Sequence, residues 1–120
     1  MGKTKISWAT HTWNFIYGCL IKSTGCLNCY AMRFAWRMKD HSNPKIHERY
    51  NGLTEMKHNG PVWNGEVRVL DHLMQDPYSW PKKARMVFVN SQSDTFHDKV
   101  PSKSIVQAFD IMAEHPQHIF

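Results

Sequence analysis

Cys19, Cys26 and Cys29 are the only cysteines of the chain, and all fall in one run, Gly18-Cys19-Leu20-Ile21-Lys22-Ser23-Thr24-Gly25-Cys26-Leu27-Asn28-Cys29-Tyr30. Three thiolates on one short loop can hold three irons of a cubane iron–sulfur cluster and leave the fourth iron open to another ligand. Cys26 and Cys29 form a Cys-x-x-Cys pair suited to clamping adjacent metals, and Cys19 precedes that pair with six residues between. Zinc is the main alternative. A structural zinc site takes four ligands, so a histidine would have to join, with His11, His41, His47 and His58 nearest in sequence. A third alternative is a set of unliganded buried thiols. Spacing alone leaves all three open.

The elements that must position this loop follow from periodicity and punctuation. The end of Ile6–Tyr17, with Trp13, Phe15, Ile16 and Tyr17, reads as a short buried strand feeding the cysteines. Gly18 and Gly25 flank the loop and permit tight turns. Ala31, Phe34, Ala35 and Met38 recur at helical spacing, which predicts a helix that stops before Asn43-Pro44. Residues 40 to 65 are polar and broken by Pro44, Gly52, Gly60, Pro61 and Gly65, which predicts a loop or irregular insertion. Glu66–Leu70 alternates like a short strand, followed by a brief helical piece ending near Pro77.

Met86-Val87-Phe88-Val89-Asn90 is the clearest strand, a continuous apolar run typical of parallel sheets buried on both faces. It runs into the polar loop Ser91-Gln92-Ser93-Asp94. Ser102 is expected to N-cap a helix that buries Ile105, Ala108, Phe109 and Met112, with Pro116 closing it and His118-Ile119-Phe120 opening a further strand. Strand–loop–helix units in this order imply an α/β fold with a parallel sheet. A complete (β/α) barrel takes about 200 residues or more. The expectation for 120 residues is therefore one domain, 1–120, forming the N-terminal portion of a partial, TIM-barrel-like (β/α) sheet.

Composition narrows the class without naming it. A chain of 120 residues can bury a core without disulfides, and three clustered cysteines do not resemble a secreted disulfide framework. No apolar run approaches the ~18 residues of a membrane span, which with the cysteine usage points to a reduced, cytoplasmic setting. The net charge of +5 suits a polyanion such as nucleic acid, although no single basic stripe dominates. Arg33 and Arg37 share a helix face that could meet a carboxylate or phosphate. His97 and His118 are candidate proton carriers. Trp8, Trp13, Trp36, Trp63 and Trp80 read as packing residues.

Ile6-Ser7-Trp8, Thr12-Trp13-Asn14, Gly18-Cys19, Lys22, Ser23, Gly25-Cys26 and Asn28-Cys29-Tyr30-Ala31 closely resemble the opening of a phage-associated three-cysteine protein family. The match continues at Val62-Trp63-Asn64-Gly65, at Val87 through His97, and at Pro116-Gln117-His118. Members of that family look like radical S-adenosylmethionine enzymes. The resemblance implies an oxygen-sensitive [4Fe-4S] cluster on Cys19, Cys26 and Cys29 in a bacterial host cell. Its open iron would bind S-adenosylmethionine, and one-electron cleavage would give a 5′-deoxyadenosyl radical. It also implies cofactor-binding roles for Asn90, Ser91, Ser93 and Asp94, where the alternative is a polar turn with Asp94 bonding its own backbone. Nucleic-acid modification is the activity that a phage setting suggests. Relatives continue past residue 120, so a C-terminal half or a partner protein is expected to complete the barrel, and this chain alone is expected to turn over poorly. The rival expectation is a small zinc-stabilised module that binds nucleic acid without catalysis. Radical enzymes mostly space their cysteines three and two apart, with an aromatic before the last. Here the spacing is six and two, Asn28 precedes Cys29, and Tyr30 follows it.

Overall fold

Three short strands build the start of the chain in the computed structural model, which describes residues 2–21 and 29–120. These are β1 (Gly2–Lys3), β2 (His11–Trp13) and β3 (Ile16–Tyr17). β3 is the buried strand expected before the cysteine loop, and both of its residues are buried.

The next segment is more regular than its composition suggests. α1 (Tyr30–Met38) buries Ala31, Met32 and Ala35, small or unbranched side chains that let the helix approach its neighbours closely. The region expected to be irregular, 40 to 65, instead holds a second helix and a hairpin. α2 (Pro44–Tyr50) starts at the residues read as a stop: Asn43 accepts a hydrogen bond from the Lys45 amide through Oδ1 at 3.0 Å, and Pro44 occupies the first turn. α1 has already ended at Met38, and Asn43-Pro44 begins the next helix, where proline needs no amide partner. The antiparallel hairpin β4 (Thr54–Lys57) and β5 (Gly60–Trp63) went unread because β4 is mostly exposed and lacks an apolar alternation.

β6 (Arg68–Val69) pairs antiparallel with β3. α3 (Asp71–Met74) and a 3-10 turn, Asp76–Ser79, follow. β7 (Val87–Val89) lies parallel to β2, with Thr12 opposite Phe88 and Trp13 opposite Val89. β1 flanks β2 on its other edge, antiparallel. α4 (Ser102–Ala113) leads back to a parallel bridge between Met86 and Ile119. The amide of Val87 donates to the Ile119 carbonyl at 2.7 Å, and the amide of Ile119 donates to the Arg85 carbonyl at 2.9 Å. The fold is thus mixed α/β around a parallel pair, not the all-parallel sheet expected from the order of elements.

Side chains alternate across this pair. Trp13 and Val87 face α4 and join Phe15, Ile16, Met74, Ala108 and Ile111 in one core. The inward stripe of α4 is Ser104, Ala108 and Ile111; Phe109, expected inside, is exposed because it sits one position round from that stripe. The helix also begins one residue early, with Pro101 at the N-cap in place of Ser102. A second core holds Tyr17, Ala31, Met32, Ala35, Tyr50, Leu53, Trp63 and Leu70, where α1 packs on the hairpin. Thr12 and Phe88 point away from α4 and line an open cleft, so β7 is not covered on both faces. Trp8, read as a packing residue, packs on Phe88 on that open face and is 55% exposed.

Candidate metal and cofactor site

β3 delivers the chain to Gly18, whose backbone has φ +97, and then to Cys19. Only glycine suits that position: a Cβ there would collide with the Glu66 carbonyl oxygen and lie 3.1 Å from Leu53 Cδ2. Gly18 also forms a parallel bridge with Ser93, which ties the start of the cysteine loop to the loop after β7. Ten residues on, Cys29 occupies the N-cap of α1 with extended backbone, and its thiol makes no capping bond. Cys19 and Cys29 are both half-buried and pack against the same core under α1. Cys26 and Gly25 lie outside the described residues. Among the described residues, no histidine or carboxylate completes a three-ligand group with Cys19 and Cys29.

The second half of the site is the loop after β7. Asn90 adopts a left-handed backbone, φ 54, a conformation that asparagine tolerates better than most residues. Its side chain is buried and occupied: Oδ1 accepts from the amides of Phe15 (3.1 Å) and Ile16 (3.2 Å), and Nδ2 donates to Thr95 Oγ1 at 2.9 Å. Asp94 accepts from the Phe96 amide through Oδ1 at 2.9 Å, the local turn that was the alternative reading for this loop. Ser91 donates from both its amide (2.8 Å) and its hydroxyl (3.1 Å) to Asn14 Oδ1. Tyr30, beside Cys29, donates its hydroxyl to the Ser91 carbonyl at 3.1 Å.

Three buried polar atoms of this loop have no hydrogen-bond partner among the described residues: Gln92 Oε1, Ser93 Oγ and His97 Nε2. A buried polar atom without a partner costs about 1–3 kcal/mol, and such a cluster is where a ligand would repay that penalty. The Lys99 amide donates to His97 Nδ1 at 3.1 Å, which leaves the ring proton on Nε2. Of the four expected cofactor residues, Ser93 alone keeps a buried side-chain atom without a partner among the described residues, while Asn90, Ser91 and Asp94 are held by Phe15 and Ile16, by Asn14 and by Phe96. Gln92 and Asn14 were missed. Gln92 stood inside the polar run that flagged its neighbours, and Asn14 followed Trp13 directly, so both had a weak signal.

A cleft of about 600 Å³ opens beside this loop, on the face of β2 and β7 away from α4. Trp8 packs on Phe88 with ring centroids 4.9 Å apart, and Tyr30 and Phe34 form the facing wall. Tyr50 completes that wall; burial raises its phenol well above the ordinary value, so it stays neutral. Asn64 ties the end of the hairpin in place: it donates to the Gly52 carbonyl and accepts from the Glu66 amide. Lys83 and Arg85 lie at the opposite end of β7.

The sequence profile of the family described as protein of unknown function (DUF5131) matches residues 3–120. The chain belongs to that family. No curated protein and no solved structure matches it. In this DUF5131 chain no described helix is long and apolar enough to cross a membrane. Thiols are donors that suit an iron–sulfur cluster and a zinc ion alike. The two described cysteines are half-buried at one end of the parallel pair, neither caps a helix by hydrogen bonding, and unpartnered polar atoms lie on the adjoining loop.

Proposed function

We propose that this DUF5131 chain is a radical-S-adenosylmethionine-like iron–sulfur protein, with a [4Fe-4S] cluster on Cys19, Cys26 and Cys29. The observation that carries this reading is the convergence of two segments distant in sequence, joined by Gly18 with Ser93 and by Tyr30 with Ser91. The cysteine loop and the loop after β7 thus share one end of the parallel pair. Sites of α/β folds collect at the carboxyl ends of parallel strands. The order β2, β7 and the bridge at Ile119 supports reading these strands as the opening of a (β/α) barrel.

The residues around the cysteines then have distinct parts. Gly18 and β3 fix the direction of Cys19, and the N-cap of α1 fixes Cys29. Asn90 clamps Phe15 and Ile16, and so holds the strand end that leads to the cysteines. Ser93 and His97 offer unpartnered atoms to the amino and carboxylate groups of S-adenosylmethionine. When bound, the cluster and S-adenosylmethionine supply one-electron chemistry that abstracts hydrogen from a substrate. We place this activity in a phage or mobile-element context, in the cytoplasm of a bacterial host, with nucleic acid as the partner.

The test is anaerobic purification with metal and sulfide analysis. The expected result is about four irons and four labile sulfides per chain, lost in Cys19→Ser, Cys26→Ser and Cys29→Ser. Reduced, cluster-loaded protein should release 5′-deoxyadenosine from S-adenosylmethionine. Near-stoichiometric zinc without sulfide would sink the proposal in favour of a structural zinc site.

A further inference from the structure

We propose that Tyr30 joins two neighbouring depressions into one track for single-stranded nucleic acid, a base entering the cleft and its phosphates lying on Arg33 and Arg37. Tyr30 lines both the 600 Å³ cleft over β2 and β7 and a groove of about 490 Å³ that runs along α1 past Arg33, Trp36 and Arg37. The two depressions differ in chemistry as the two halves of a nucleotide do. The inference does not depend on which metal the cysteines hold.

The cleft suits a planar heteroaromatic ring. Trp8, in the turn before β2, is more than half exposed although its ring packs on Phe88 of β7, and the two line the cleft with Tyr30 and Phe34. Base–aromatic stacking tolerates any base because each has a π-face. Selectivity comes from Gln92, which lines the cleft, is only 8% exposed and keeps Oε1 without a partner among the described residues. An acceptor in that position favours adenine or cytosine, whose exocyclic amines donate, over thymine, which carries a carbonyl there.

The groove suits phosphates. Arg33 and Arg37 stand one turn apart on the exposed side of α1, and neither pairs with a carboxylate among the described residues. The Arg37 guanidinium lies 5.8 Å from the centre of the Phe34 ring, which holds it at the border of groove and cleft. Unpaired arginines beside Trp36 and Tyr30 provide the mixture of charge and stacking that single-strand binders use. A duplex keeps its bases stacked inside and cannot present one to the cleft without extruding it.

Fluorescence anisotropy with labelled twelve-nucleotide strands tests the track on the full chain, both as purified and as the Cys19→Ser/Cys29→Ser variant, so that failure of the cluster reading leaves this measurement intact. Single strands should bind more tightly than the matching duplex, and oligo-dA or oligo-dC more tightly than oligo-dT by about fivefold, the worth of one hydrogen bond. Arg33→Ala/Arg37→Ala should weaken all sequences alike and flatten the slope of log affinity against log salt by about 1.4, two phosphates' worth. Trp8→Ala should weaken binding roughly tenfold or more, and Gln92→Met should erase the preference over oligo-dT. Wild-type binding that ignores salt, sequence or the paired arginine substitution would overturn the track. S-adenosylmethionine or adenosine abolishing the base preference, with the arginine variant binding as wild type, would assign the cleft to the cofactor's adenine and overturn it equally.

Discussion

Asn90 is the residue on which the geometry of the site most depends, and replacing it gives a quantitative test. Its Oδ1 is the acceptor for two buried amides, those of Phe15 and Ile16, both of which belong to residues with no exposed surface. Asn90→Ala removes that acceptor without giving water access. Each orphaned amide costs about 1–3 kcal/mol, and alanine at φ 54 adds about 1–2 kcal/mol of backbone strain. The expected loss is about 4 kcal/mol, a large part of the 5–15 kcal/mol that holds a typical domain together. With a urea slope of roughly 1.5 kcal/mol/M, the unfolding midpoint should fall by about 2–3 M. Asn90→Gly separates the two causes: glycine accepts the left-handed backbone, so it should recover about 1 kcal/mol and no more. Urea titration followed by circular dichroism measures both variants. Asn90→Ala within about 1 kcal/mol of wild type would refute the clamp, as would Asn90→Gly fully restoring stability.

Gly18→Ala should be far more damaging than Gly52→Ala. Both glycines have positive φ, but an added Cβ meets nothing nearer than 3.9 Å at Gly52, whereas at Gly18 it strikes the Glu66 carbonyl oxygen. Strain alone gives about 1–2 kcal/mol at Gly52, and the collision brings Gly18 to about 3–4 kcal/mol; similar unfolding midpoints for the two would contradict this. Stability should also fall with acid. Burial, and then the charges of His115 and Arg85, hold His118 below its ordinary value of 6.5. Below about pH 6.5 the unfolded chain therefore takes up a proton that the folded chain refuses, so stability is full above that pH and declines beneath it. His118→Phe keeps the ring contacts with Trp80 and Phe120 and removes the titration. The drop in melting temperature between pH 7.5 and 5.5 should shrink in this variant, with a residue left by His11, which is lowered as well; an unchanged drop would show that His118 is not the group responsible.

Elements with strong local signals were legible in the sequence. Val87–Val89 announced itself as an apolar run, α1 as the recurrence of Ala31, Phe34, Ala35 and Met38, and Pro116 as the close of α4. What was illegible was decided by partners distant in sequence. The hairpin β4–β5 has an exposed first strand, so its pairing depends on α1 rather than on its own pattern. β1 pairs with β2 although two residues carry no periodicity at all. Phe109 reads as core by hydrophobicity, yet it lies one position round from the buried stripe of Ser104, Ala108 and Ile111 and is exposed.

The same division runs through the site. Residue type and spacing along the chain are enough to nominate thiols for a metal, and the run Asn90–Asp94 for a ligand. They cannot say which polar atoms of that run are already occupied, because occupancy depends on amides that arrive from another strand. Asn90 and Gln92 are two residues apart and chemically alike. Phe15 and Ile16 approach Asn90 and take its oxygen, whereas no described donor reaches Gln92. A polar residue next to a strand end therefore becomes a clamp or a contact according to which backbone donors the tertiary fold brings to it. The unpartnered atoms of Gln92, Ser93 and His97, rather than the most conspicuous side chain of the loop, are where a bound molecule would gain the most.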